Sequence, residues 1–323
     1  MINMSSASSA GPRIAVVATA AGGPGPLDRL LLSLAAQTLP PAGVLVVDQD
    51  GDPAVAALVA ERARTLPVRR VAAPPGIPAG RNAGLRELGL VDPAAGTPAS
   101  GLGVLEAILA AEDVRPRPAA PLPPDAPDAV VFPGPAAWYP PEAFARAAEA
   151  LAQGADVVSG RLLNAGEAPA LRALGAGPVD RRTVWTRTAA GTCFFTAGFL
   201  RAAGGFDEEL GTGRQPVAEA DLLLRGLRAG RTLVFDPRVR AWQDAAAAGA
   251  PSPAEARLAG RGTGRVYVRH YNGYHCMWLV LRPLAAAALA AARGRRPDAV
   301  RHLHKAAGRV EGLYGVLLPG APA

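Results

Sequence analysis

Gly204–Gly230 reads GGFDEELGTGRQPVAEADLLLRGLRAG, and its punctuation divides it into three parts. Gly204-Gly205-Phe206-Asp207-Glu208 is a turn carrying two carboxylates and one large apolar anchor. Gly211 to Pro216 is a loop whose two glycines can take positive φ. A helix is expected from Ala218, with Leu222, Leu223 and Leu227 on its buried face and Gly230 as its stop. Glu219 and Asp221 fall in its first turn, where the helix macrodipole favours negative charge. Two readings fit that pair: a general base fixed beside a glycine loop, or acidic residues that only stabilise a helix start.

Downstream of this stretch, Thr232–Asp236 (TLVFD) reads as a short strand. At the other end of the chain, Arg13–Thr19 (RIAVVAT) is a β-branched run suited to a buried parallel strand. Leu27, Leu30, Leu31 and Leu34 then share one helical face. Val44–Val47 is a second strand ending in Asp48-Gln49-Asp50-Gly51-Asp52, Pro53–Leu66 a second helix, and Val68–Ala72 a third strand. This β-α-β-α-β opening implies a parallel sheet with ligand chemistry at the strand C-termini. A dinucleotide-binding reading fits poorly, because two prolines interrupt Gly22–Leu27 and Leu27 stands where a glycine would let helix and strand pack closely. Gly76–Leu85 (GIPAGRNAGL) offers two glycines for close backbone approach, with Arg81 able to pair with a carboxylate or diphosphate and Asn82 able to cap a following helix. Residues 89–128 are rich in Ala, Pro and Gly and read as an inserted flap or extended loop, with a short helix over Gly103–Glu112. Ala129–Phe132 is a fourth strand, followed by PGPAAWYPP, a helix over Pro141–Gly154 and a strand over Ala155–Gly160.

In this order the motifs resemble family 2 glycosyltransferases of the GT-A fold. The resemblance rests on Val17-Ala18-Thr19, Ser33–Thr38, Val46-Val47-Asp48, the Arg-Asn-x-Gly segment at Arg81, the Phe-Pro and Trp-Tyr-Pro-Pro framing at 132–141, and GGFDE-x-LG-x-G with its acidic helix start. It covers about residues 13 to 315 apart from the insert. It implies an α/β GT-A fold, a mixed but mostly parallel sheet with flanking helices, and a helical C-terminal tail. The implied activity is transfer, with inversion, of a sugar from a nucleotide-diphosphate sugar to a hydroxyl on a glycan, a lipid-linked acceptor or a cell-envelope polysaccharide. Glu219 would then be the catalytic base and Asp221 would orient the acceptor. Thr19, Asp48, Asp50, Arg81 and Asn82 would bind the nucleotide sugar, and Trp138, Tyr139 and Asp207 would form an acceptor wall. The family also implies Mn²⁺ or Mg²⁺ held by an aspartate run, but those positions here are Gly134, Pro135 and Ala136, which lack side-chain oxygens for a hard cation. Gln243 likewise stands where relatives carry a metal-binding histidine. The competing expectation is a noncatalytic nucleotide-binding or scaffold protein that has lost the metal site.

Composition narrows the class. At 323 residues there is ample chain for one large α/β domain, and 50% hydrophobic content argues against general disorder despite 37 glycines and 32 prolines. From Arg257 onward, eleven Arg/Lys face only Asp298 and Glu311, a balance of +9; against +7 for the whole chain, residues 1–256 carry −2. The basic character belongs to the C-terminal extension, 257–323, rather than to the domain at 13–256. It fits an anionic membrane surface or a phosphate-bearing substrate better than nucleic acid. Cys193 and Cys276 make no metal or redox spacing, which points to a reduced, cytoplasmic setting. Residues 1–12 read as a disordered leader, and no run of about 18 uncharged apolar residues marks a membrane span. Met277–Ala292 reads as an apolar helix broken at Arg282-Pro283: either an interfacial helix peripheral to the inner membrane face, or a buried or oligomer-contact helix.

Overall fold

The computed structural model describes residues 11–20, 23–91, 122–134, 136–165, 174–210, 217–244 and 251–321. The leader through residue 10, most of the 89–128 insert with its expected helix, the loop 211–216 and Pro135 lie outside the described residues.

A run of alternately directed side chains, all buried and all but Thr19 apolar, makes β1 (Ile14–Ala20) the heart of the parallel half of the sheet. Ile14, Val16 and Ala18 face one core layer with Leu27, Leu30, Leu31 and Leu34 of α1 (Pro24–Ala35). Ala15 and Val17 face the other layer, with Leu85, Phe132, Phe195 and Phe206. Such two-sided burial is what parallel strands require. β2 (Gly43–Asp48), α2 (Pro53–Arg62), β3 (Val68–Ala72) and α3 (Ile77–Glu87) complete the opening.

The remaining elements are β4 (Ala129–Val131), β5 (Ala137–Trp138), α4 (Ala143–Ala152), β6 (Val157–Asn164), β7 (Gly177–Pro178), α5 (Val184–Arg187), β8 (Phe194–Thr196), α6 (Ala197–Ala203), a 3₁₀ turn at Glu208–Leu210, α7 (Val217–Arg228), β9 (Leu233–Gln243), α8 (Pro253–His270), α9 (Gly273–Ala292) and α10 (Arg296–Tyr314). The strand order is β3-β2-β1-β4-β8-β6-β9-β5, with β7 on β9. β3, β2, β1 and β4 are mutually parallel, β8 runs antiparallel between β4 and β6, and β6 pairs parallel with β9.

β9 and α9 exceed their expected lengths. β9 continues past Asp236 because Pro237 falls where the β6–β9 register shifts between Ser159 and Arg161, so no ladder bond is lost to it. α8 begins at Pro253, set by a reciprocal cap in which Ser252 and Glu255 satisfy each other's backbone N–H. α9 runs unbroken through Pro283. Proline lacks the N–H that would reach the carbonyl of Leu279, and the Arg309 guanidinium of α10 donates to that carbonyl instead. By length and composition the uninterrupted α9 could cross a bilayer, although Arg282 keeps it from being an uncharged run of about 18 residues.

α3 lies against the strands at a distance only glycine permits. A Cβ on Gly84 would sit 2.3 Å from Val17 Cγ1, in the central strand. Gly84→Ala is therefore expected to cost about 1–3 kcal/mol through overpacking. Thermal unfolding should show a lower Tm, and an unchanged Tm would contradict the contact.

Candidate functional site

The strand ends and the start of α3 form one side of the site. A Cβ on Gly80 would lie 3.1 Å from Thr19 Cγ2, 3.2 Å from Gln49 Nε2 and 3.3 Å from Val47 Cγ1, so α3 seats on the C-terminal ends of β1 and β2. Gln49 fixes the approach to α3 by donating to the carbonyls of Pro74 and Gly76. Asp48 is buried: its Oδ1 accepts from the N–H groups of Asp50 and Gly51, and its Oδ2 pairs with Arg70 at 3.0 Å. Burial alone would raise its pKa, but Arg70 and the two amides outweigh that and hold it below the ordinary value. Asp50 is exposed and Thr19 buried at the same end of the sheet.

Arg81 and Asn82 are carried by α3 into the interior. The Arg81 guanidinium lies over the rings of Phe132 and Phe206, 5.6 and 5.2 Å from their centroids. Asn82 does not cap a following helix, because α3 starts five residues before it. Its amide is committed elsewhere: Nδ2 donates to the Phe206 carbonyl and to Glu208 Oε1, both at 2.9 Å, and Oδ1 accepts from Phe206 N–H at 2.8 Å. Asn82 is thus a clamp on the GGFDE turn, with no atom left over for a nucleotide.

The first turn of α7 supplies the other side, and its two acids have different surroundings. Glu219 is buried, its Oε2 is 3.5 Å from Arg81 Nη1, and neither carboxylate oxygen has a hydrogen-bond partner among the described residues. Burial raises its pKa against the pull of Arg81. Asp221 is fully engaged. Its Oδ2 accepts from Arg225 Nε at 2.8 Å, its Oδ1 meets His270 Nε2 at 2.9 Å, and Arg269 lies 3.7 Å away. Burial opposes ionisation there, but Arg225, His270 and Arg269 win and hold the carboxyl far below its usual range. Asp221 therefore joins α7 to the end of α8 and has no oxygen directed at an acceptor.

Two of the three expected acceptor-wall residues are internal. Tyr139 is packed edge-on against Phe144 and Phe194, and its hydroxyl donates to the Gly191 carbonyl at 2.6 Å. Asp207 is fully buried, bound to Arg269 at 2.6 Å and accepting from Glu209 N–H at 2.9 Å. Trp138 is half-exposed on β5, with the Arg29 guanidinium 4.9 Å from its ring centroid.

The end of β4 borders the same place. Gly191 has φ +80, and a Cβ there would meet Gly134 N at 3.3 Å and Pro133 Cα at 3.4 Å. The Gly191 backbone in turn touches Glu219. Gly134 and Ala136 have no side-chain oxygen, Gln243 is bonded to Asn164 at 2.9 Å, and among the described residues no three His, Cys, Asp or Glu side chains are grouped to hold a metal ion. A hard divalent cation held by carboxylates does not fit these residues.

Sequence reasoning missed Arg70, Gln49, Arg269 and His270. Arg70 had a usable signal, since it stands two residues from Asp48's ladder partner Ala72 on the neighbouring strand. Arg269 and His270 are 62 and 49 residues from their partners Asp207 and Asp221, and no local pattern marks them.

No family model matches the sequence, and no curated protein matches it. Solved structures do. Mannosyltransferase PcManGT from Pyrobaculum calidifontis, in complex with GDP-Man and Mn²⁺, aligns with a TM-score of 0.54 and 14% identity over 95% of this chain and 88% of that one. S. aureus TarS aligns with a TM-score of 0.52 and 13% identity over 94% of this chain, which spans only 54% of the TarS chain. The fold is thus the mixed, mostly parallel α/β architecture of these neighbours, GT-A with a helical C-terminal segment.

Asp221→Asn is expected to cost about 3 kcal/mol, because it leaves the partly buried Arg225 and Arg269 guanidiniums without their counter-charge and weakens the contact to buried His270. The wild-type contribution is present above the unfolded carboxyl value of 3.8 and is lost as pH falls through the lower folded value. Chemical denaturation from pH 7 downward should show a shallower acid loss in the variant.

Proposed function

We propose that this chain transfers a sugar from a nucleotide-diphosphate sugar to a hydroxyl acceptor, as an inverting glycosyltransferase of the family 2 type. The observation that carries the reading is Glu219: a buried carboxylate at a helix start, ion-paired with Arg81 at 3.5 Å and beside the Gly191 backbone, with neither oxygen hydrogen-bonded among the described residues. A carboxyl whose proton affinity is raised toward neutrality is better matched to general-base work than an ordinary one. In the proposed step Glu219 takes the acceptor hydroxyl's proton as that oxygen bonds to the anomeric carbon. The bond from that carbon to the phosphate oxygen breaks, and the nucleoside diphosphate leaves with the electron pair. Asp48 and Asp50, at the end of β2, would accept from base or ribose donors. No step is assigned to a metal, because the residues at the expected position offer it no ligands.

That same deficiency favours a second reading, a nucleotide-binding protein without turnover. Release of nucleoside diphosphate from UDP-, GDP- and dTDP-sugars, followed with Mn²⁺ and with chelator, separates the two. Under the first reading turnover persists with chelator, and Glu219→Gln lowers kcat by about 10²–10⁴-fold while nucleotide affinity by calorimetry is retained. Nucleotide binding with no release from any donor would establish the second.

The stability of the same variant has a definite sign. Glu219 is harder to ionise folded than unfolded, so the protein loses stability as pH rises above the ordinary value of 4.5 until Glu219 ionises in the fold. Glu219→Gln should flatten that part of the Tm–pH profile, and a variant that tracks wild type at every pH would remove the premise that Glu219 is perturbed.

A further inference from the structure

α9 has one face committed and one face bare. Leu279, Pro283, Ala287 and Ala290 are its buried residues, a row spaced by three and four that packs on the rest of the C-terminal helices. At 3.6 residues per turn the opposite face carries Tyr274, Met277, Trp278, Leu281, Leu284 and, at its border, Leu289. All six are exposed, from 40% for Leu284 to 62% for Tyr274. Only 22% of the apolar 18-residue window of this helix is buried. A row of large side chains, including Trp and Tyr, over a helix about 30 Å long is far more than the scattered apolar exposure ordinary on soluble surfaces.

Cations accompany that face without compensation. Arg282 is exposed on α9, and Lys305 and Arg309 approach it from α10. Among the described residues no carboxylate pairs with any of the three. Lys305 is held below its ordinary value by burial and by the charges of Arg309 and Arg282; Arg309 is pushed down to about 10 by burial, with Arg282 adding to the effect. Arg309 is spent on the Leu279 carbonyl, yet its Nε has no partner. Arg282 thus lies exposed on the apolar helix, and partly buried Lys305 and Arg309 add positive charge from α10. Arg293 and Arg296 follow at the helix end, with Arg295 paired to Asp298 at 3.0 Å.

We propose that α9 is a membrane-docking helix that lies in the interface of an anionic phospholipid bilayer, its Tyr274–Leu289 face in the acyl boundary and Arg282, Lys305 and Arg293 toward lipid phosphate. Charge complementarity selects anionic headgroups over a second copy of the chain, which would bring the same cations together. The helix lies flat and does not span. Spanning would place Arg282 near mid-bilayer and strip α9 from α10, whose Arg309 completes the α9 backbone at Leu279. The α8–α10 pair is a rigid platform for it: Cβ atoms on Gly308 and Gly312 would meet the carbonyls of Arg257 and Arg261 at 1.9 and 2.0 Å, so the two backbones are in direct contact.

The test uses the full 323-residue chain with vesicles of phosphatidylcholine alone and with phosphatidylglycerol added. Wild type should sediment with the anionic vesicles, release in high salt and in alkaline carbonate, and show a blue shift of tryptophan emission that is lost in Trp278→Phe. Leu281→Asp combined with Leu284→Asp should lower partitioning at least tenfold with Tm unchanged, and Arg282→Glu should abolish the preference for anionic vesicles. Sedimentation with neither vesicle, equal binding by the double variant, or retention through carbonate would each overturn the proposal. So would light scattering that shows a stable dimer broken by the double variant, since a second copy would then be the occupant.

Discussion

A buried guanidinium and a buried carboxylate, Arg81 and Glu219, meet across the seam between the βαβ opening and α7. Withdrawing either from water alone would cost several kcal/mol, so each constrains the other to stay. Their separation of 3.5 Å exceeds a normal hydrogen bond, which leaves attraction without full satisfaction. Much of the nearby sequence follows from getting Arg81 to that place. Gly80 and Gly84 let α3 sit on β1 and β2, Phe132 and Phe206 supply ring faces for the guanidinium, and Asn82 fastens the turn that carries Phe206.

A second ionic layer joins the C-terminal helices to this seam. Asp221 and Asp207 are held by Arg269 and His270 at the end of α8, and Arg225 returns to the carbonyls of Ala203 and Gly205. Behind them Glu311 of α10 receives Arg257 and Arg261 of α8. The basic extension beginning near residue 257 is therefore built into the body at its first helix, and the surplus positive charge resides on the outer helices. Asp221 and Glu219, two residues apart on one helix, end with opposite shifts because Asp221 meets two guanidiniums and a hydrogen-bonding imidazole, and Glu219 one guanidinium at 3.5 Å.

The parts of this arrangement legible in sequence were those with local causes. Buried parallel strands show unbroken β-branched runs, and α1 shows its leucines at three- and four-residue spacing, so the opening could be read directly. The acidic start of α7 was legible for the same reason. What failed depended on distant partners. Pro237 looked like a strand end and Pro283 like a helix break, but a register shift on β6 accommodates one and Arg309 the other. Asn82, Asp207 and Tyr139 are polar residues in motif positions, and composition could not show that their hydrogen bonds were already committed internally.

The glycine after Phe132-Pro133 is informative in a different way. A missing side chain can reflect either crowding that forbids it or a function no longer required. A Cβ at Gly134 would meet nothing within 4 Å, although Gly134's backbone is pressed against Gly191 on the side that leads to Glu219. Sterics therefore do not explain the absence of a carboxylate there. The room for a side chain at Gly134 is open, so the lack of a metal ligand at that position is a matter of donor atoms and not of crowding. Whatever balances the charge of an anionic ligand at the end of β4 must come from elsewhere in the protein or from solvent.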